Sequence, residues 1–261
     1  MRNFAPSNKE GIHLNKGNFL SKKGEYLIIM LKIKLLFFLF LVYELLLAQD
    51  AGSQQLIDNA AIEFMKVAGS QSALYSGNQQ DLHPSTTNHP YLEEALFTKA
   101  RLSYNGVIYP EIMIRLDLYR DELIIASPDF RNIVLFPENV DFAELHGRRV
   151  IYFLHDSVQG SPSTGYYYLL HSGNCTILEK QTAMLAFGFS QQYYSLSTKF
   201  YLYHDGIYYT IRNKMGLLKV LKPHNKELKR FISAHRWRFR RHAEELIINT
   251  VIEYEKISGS R

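Results

Sequence analysis

In Glu111-Ile112-Met113-Ile114-Arg115-Leu116-Asp117-Leu118-Tyr119 the branched apolar residues Ile112, Ile114, Leu116 and Leu118 recur at every second position, alternating with Glu111, Met113, Arg115 and Asp117. Successive side chains of a strand point to opposite faces, so this spacing predicts a strand burying Ile112, Ile114, Leu116 and Leu118. Glu111, Met113, Arg115 and Asp117 then face solvent. Outward from it, turn signals recur at short intervals: Asn105-Gly106, Arg120-Asp121, Pro128-Asp129, Pro137-Glu138-Asn139, His146-Gly147, 160–165, Ser172-Gly173-Asn174, Asp205-Gly206 and 213–216. The runs between them are rich in Tyr, Phe, Ile, Val and Leu, and links this short favour antiparallel neighbours. Tyr104-Asn105-Gly106-Val107 and His204-Asp205-Gly206-Ile207 carry the same signature. Asn-Gly and Asp-Gly supply the positive φ that a type I′ hairpin turn requires.

Both ends of the sheet region change character. Residues 54–68 place Leu56, Ala60, Ala61, Phe64 and Val67 at helical spacing, and residues 70–90 read as polar loop into which residues 72–75 dock. After Leu221, one helix is expected from Asn225 to near His235 and another over 242–257, joined by an alternating, extended 237–241. The expected fold is mainly β: an antiparallel β-meander, either a curved open sheet or a partly closed barrel, with a short N-terminal helix and C-terminal helices packed on it. One domain over 95–261, preceded by a helix and loop segment over 49–94, suffices for a chain of this length.

Residues 30–48 have a different purpose. Lys32 and Lys34 precede an apolar run of fourteen residues, Leu35 to Ala48, and then Gln49-Asp50-Ala51-Gly52, the pattern of a secretory signal peptide cut before Gln49. A membrane span needs roughly 20 apolar residues, and this run is shorter and holds Glu44. The mature chain is therefore expected not to span a membrane, and residues 1–29 read as an extension ahead of a start at Met30. Export to the periplasm or outer envelope follows. The one cysteine, Cys175, cannot form an intramolecular disulfide.

Without residues 1–48 the chain keeps 23 basic and 22 acidic side chains, so the sequence pI near 9.1 is largely a property of the leader. The remaining charge is uneven: net −7 over 49–205 and net +8 over 206–261. The basic part concentrates in Lys219, Lys222, Lys226, Lys229, Arg230, Arg236, Arg238, Arg240 and Arg241, opposed by Glu227 and interleaved with Phe231, Trp237 and Phe239. Basic groups beside aromatics suit phosphate contact and stacking. Export argues against nucleic acid and leaves two uses, a solvated face that offsets the acidic body or contact with an anionic envelope component. The candidate binding residues are Lys229, Arg230, Arg236, Trp237, Arg238, Arg240 and Arg241.

No catalytic set stands out, and neither cofactor nor metal is expected. None of the ten histidines shows metal-ligand spacing. His155-Asp156-Ser157 has the residue types of a hydrolase relay, but neighbours on an extended chain point apart. Ser72-Ala73-Leu74-Tyr75-Ser76-Gly77, Leu102-Ser103-Tyr104-Asn105-Gly106 with Tyr109, Asp117, Asp121-Glu122-Leu123, Lys226 to Ile232 and Phe239-Arg240-Arg241 together resemble a family of uncharacterised secreted β-rich proteins of Bacteroidetes-type Gram-negative bacteria. That resemblance implies an envelope location and transfers no functional residue. The expected function is a non-catalytic periplasmic or envelope-associated binding or accessory protein that engages a lipid, a glycan or another exported protein. Two alternatives stand beside it: a hydrolase assembled from distant strands, with His155, Asp156 or His171, and a structural or interaction module.

Overall fold

The computed structural model describes residues 36, 53, 55–65, 67–69, 72–222 and 224–259. The expected leader and the extension before it lie outside the described residues, apart from Leu36. The chain forms two compact units, 1–57 and 58–261. Of the first, the described residues are helical; all that follows concerns the second.

Eleven strands form one sheet: β1 (Asn78–Gln79), β2 (Thr98–Tyr104), β3 (Val107–Asp117), β4 (Glu122–Ala126), β5 (Asn132–Val134), β6 (Val140–Leu145), β7 (Arg148–Phe153), β8 (Gly165–Ser172), β9 (Thr176–Phe187), β10 (Gln192–His204) and β11 (Ile207–Ile211). The spatial order is β1-β5-β4-β3-β2-β6-β7-β8-β9-β10-β11, every pairing is antiparallel, and the sheet does not close. Turn chemistry explains much of this. Asn105-Gly106, His146-Gly147 and Asp205-Gly206 all have positive φ at both positions, as type I′ hairpins need. Across the last of them Tyr203 and Tyr208 pair with ring centroids 4.7 Å apart.

The sheet curls enough for the β3–β4 turn to reach β8 and β9. Ala183 N–H donates to the Leu118 carbonyl at 2.9 Å, and Lys180 Nζ lies 2.6 Å from Asp121. A strap, residues 80–97, crosses the outer side. It pairs with β3 through Leu118 N–H to Pro90 O and with β10 through Asn88, whose amide bonds both the Tyr194 N–H and its carbonyl. Glu111 and Met113 are exposed as expected, but the strap corrects the expected exposure of Arg115 and Asp117 on the same face of β3. Asp117 is fully buried, accepting from the Tyr119 and Arg120 N–H groups and from His83, while Arg115 is covered by Tyr91 and Phe97.

Two cores result. Inside the curl, Leu102, Ile114, Leu123, Ile125, Leu145, Val150 and Tyr166 pack together, joined by Met65 from helix α1, residues 58–65. Beyond it, β9, β10 and β11 bury Ile177, Leu202 and Ile211 against three helices: α2 (Lys214–Val220), α3 (Asn225–Ala234) and α4 (Ala243–Gly259). Helices as short as α2 and α3 do not persist alone in water. They exist here because Leu217, Leu218, Leu228 and Ile232 are buried, each contributing about 1.5–3 kcal/mol. The link from α3 to α4 is a series of turns, not the extended piece expected from its alternation.

Candidate functional site

Basic side chains are treated differently in the two layers. On the sheet, Arg101 grips Asp58 with two bonds of 2.8 and 3.1 Å, Arg148 meets Glu179 and Glu244, Lys180 meets Asp121, and Lys99, Arg131 and Arg149 each have an acidic partner. Arg115 and Arg120 donate to carbonyls and to Gln80. Lys199 is the exception. By contrast, none of the nine basic side chains from Lys219 to Arg241 makes an ion pair among the described residues.

Four of these nine converge. Asn213 caps α2, its Oδ1 accepting the Gly216 N–H at 2.8 Å, and the chain turns after Leu221 into α3. Between the two helices lies an open cleft of about 570 Å³, within the size range of small-molecule sites. Asn213, Met215, Gly216 and Leu218 form its α2 side; Lys219, Lys222, Asn225, Lys226 and Lys229 ring the rest. Helical spacing accounts for the convergence, because residues 215 and 219, and 226 and 229, sit one above the other on their helices. No carboxylate lines the cleft. The N-cap of α3, His224, makes no side-chain capping bond, and the first two residues of that helix, Asn225 and Lys226, are part of the cleft lining. Like charges at such spacing cost a few tenths of a kcal/mol per pair.

The other residues singled out from sequence are placed apart from this cleft or facing solvent. Arg230 is exposed on α3, and Arg236, with φ of 55°, begins the turn that carries exposed Arg238, Arg240 and Arg241. Trp237 is half-buried, stacked on His235 at 4.4 Å and edge-on to Phe231, while Phe239 meets Phe200. These rings are already engaged in packing. Of the seven residues named, Lys229 enters the cleft; Lys219, Lys222 and Lys226 do so from the basic run, and Met215 and Gly216 from a helix that sequence reading missed.

The hydrolase candidates do not assemble. His155 Nδ1 bonds the Pro162 carbonyl at 2.9 Å and Asp156 accepts the Val158 N–H, so both hold their own loop. His171 belongs to a different group: its Nε2 is 2.9 Å from Glu255 Oε2, and Glu255 Oε1 accepts the Cys175 N–H at 2.7 Å. There Cys175 Sγ lies 3.4 Å from His204 Nδ1, and His204 Nε2 is 3.3 Å from both Asp205 Oδ2 and Tyr254 Oη. Those are the residue types of a cysteine relay. A nucleophilic cysteine needs an accessible, stabilised thiolate. Cys175 is fully buried, and burial, with Glu255 and Asp205 nearby, pushes its thiol up to about 12. The cluster instead ties the β8–β9 turn to α4. Among the described residues no group of histidine, cysteine and carboxylate ligands could hold a metal ion.

One apolar surface went unnoticed in the sequence. From Gln181 to Thr198 the chain has no charged residue. These eighteen residues form the outer half of the β9–β10 hairpin, where Met184, Phe187, Phe189 and Leu196 are exposed. No helix among the described residues is long and apolar enough to cross a membrane. No protein-family model, curated protein or solved structure matches this chain.

Proposed function

We propose that the protein is an exported, non-catalytic, envelope-associated binding protein whose basic helical surface engages an anionic envelope lipid. The observation that carries this reading is the convergence of Lys219, Lys222, Lys226 and Lys229 on one cleft with no carboxylate among its lining residues. The leader at 30–48 supports export, and a buried, proton-bound Cys175 removes the best-placed nucleophile. Attraction to an anionic surface is worth about 1 kcal/mol per lysine near it and fades within a Debye length of about 8 Å at physiological salt.

Cosedimentation with vesicles tests the idea. The protein is expected to bind phosphatidylcholine vesicles only when they contain phosphatidylglycerol, and to be released at 0.5 M salt. Replacing Lys226 and Lys229 by Gln is expected to weaken binding by about tenfold or more. Equal binding to neutral vesicles, or no loss in the double variant, defeats the proposal.

A further inference from the structure

The cleft has a floor as well as a charged rim. Met215 is largely exposed at its edge, Leu218 is buried beneath it, and Gly216 leaves the wall between them without a side chain. The stems of four lysines add methylene surface around that floor, as long cationic side chains do when they lie along apolar ground with their heads in water. A free inorganic anion would use the rim alone. A flat bilayer would meet the lysine heads and leave the floor empty.

Resting on the reading under Proposed function, we infer that the cleft is a seat for a single anionic amphiphile. Its phosphate is caught by Lys219, Lys222, Lys226 and Lys229, and the first carbons of its chain lie over Met215, Gly216 and Leu218. Asn225 and Lys226, the first two residues of α3, line the cleft, and a helix N-terminus favours negative charge. A cleft of about 570 Å³ suits one headgroup with part of one chain. Each methylene that leaves water for the floor is expected to raise affinity about fourfold, until the floor is covered.

Gly216 makes a clean probe. A Cβ added there meets nothing closer than Asn213 Oδ1 at 3.6 Å, an ordinary contact, and the residue is helical, so Gly216→Leu fills the cleft without removing a charge. Calorimetric titration with inorganic phosphate and with butyl, hexyl and octyl phosphate, all below micelle-forming concentrations, reads the chain-length gain. Affinity is expected to climb through this series, while octyl glucoside does not bind. Gly216→Leu is expected to abolish the climb. Met215→Gln, at a side chain 65% exposed, reports on the same floor and is expected to reduce the climb even if the first variant folds poorly. Alkyl phosphates no tighter than inorganic phosphate, or a climb surviving both substitutions, overturns the amphiphile seat. Salt-sensitive vesicle binding that persists in that case leaves the broader anionic reading intact, and its loss removes both.

Discussion

Asp121→Asn isolates the most exacting ion pair in the sheet. Lys180 Nζ sits 2.6 Å from each Asp121 oxygen and 3.0 Å from the Tyr166 carbonyl, and lies 4.8 Å from the centre of the Tyr167 ring. Gly165 is part of the construction, since a Cβ there would collide with the carboxylate. The ammonium side chain is 8% exposed and the carboxylate 30%. Burial lowers the Lys180 pKa, and the attraction of Asp121 opposes that shift without cancelling it. Removing one partner of a buried pair costs about 3–5 kcal/mol because the other charge stays desolvated. Solvent reaches Asp121, so the lower end, about 3 kcal/mol, is expected. That is a large part of an ordinary domain's 5–15 kcal/mol.

The pH dependence supplies a second reading of the same change. With its folded pKa below the unfolded value of about 10.4, Lys180 binds fewer protons in the native state, so stability rises with pH between the two values, by at most about 1.4 kcal/mol per unit. Asp121→Asn lowers the folded pKa further and widens that window. The gap between variant and parent is therefore expected to shrink as pH goes from 7 to 9.5. Urea unfolding followed by the fluorescence of the single Trp237 and by far-ultraviolet circular dichroism measures it. Pairing Asp121→Asn with Lys180→Met should recover most of the loss. A penalty under about 1 kcal/mol, or a gap that widens with pH, refutes the argument.

Two further outcomes are expected. Cys175 should resist iodoacetamide in the folded protein at pH 8 and react at once in urea, because a buried thiol raised to about 12 is thiolate in only about one molecule in ten thousand; full labelling of the native protein within minutes would contradict this. Phe189→Ser, at a wholly exposed hairpin tip, should shift unfolding by less than about 0.5 kcal/mol and reduce binding of hydrophobic dyes, whereas Leu202→Ala in the second core should cost about 2–5 kcal/mol; comparable losses in urea unfolding would mean the tip is packed in solution.

The strands could be read because their signals are local. Ile112, Ile114 and Leu116 alternate, Asn105-Gly106 fixes the hairpin before them, and Arg120-Asp121, with Asp121 at positive φ, marks the turn after them. What lay beyond local signals was the cover on the outer face. Residues 80–90 of the strap are polar and patternless, yet Gln80 and His83 reach Arg115, Asp117 and Tyr194 across more than thirty residues of sequence. Helix α2 was hidden for another reason. Asn213 and Gly216 are turn formers, and an internal Gly costs about 1 kcal/mol in a helix; burial of Leu217 and Leu218 outweighs that cost. Missing α2 meant missing one wall of the cleft. The alternation of Trp237-Arg238-Phe239 misled in the opposite direction, because both rings reach the second core from a turn.

The charge asymmetry was plain in composition, but its meaning depended on which charges join the layers. An acidic sheet and a basic helical cap would be expected to dock through helical cations and sheet carboxylates. The pairs that form run the other way: Glu244 of α4 meets Arg148 of β7, and Glu255 of α4 meets His171 of β8. Arg148 is also shared with Glu179 and lies 3.7 Å over the Tyr168 ring, so one sheet cation serves both layers. Among the described residues, docking of the cap therefore engages Glu244 and Glu255 and none of the basic side chains from Lys219 to Arg241. A cluster of four lysines stripped of internal partners in this way repels itself unless something outside the chain neutralises it. This polarity makes an anionic ligand a better account of the cleft than charge balance across the molecule.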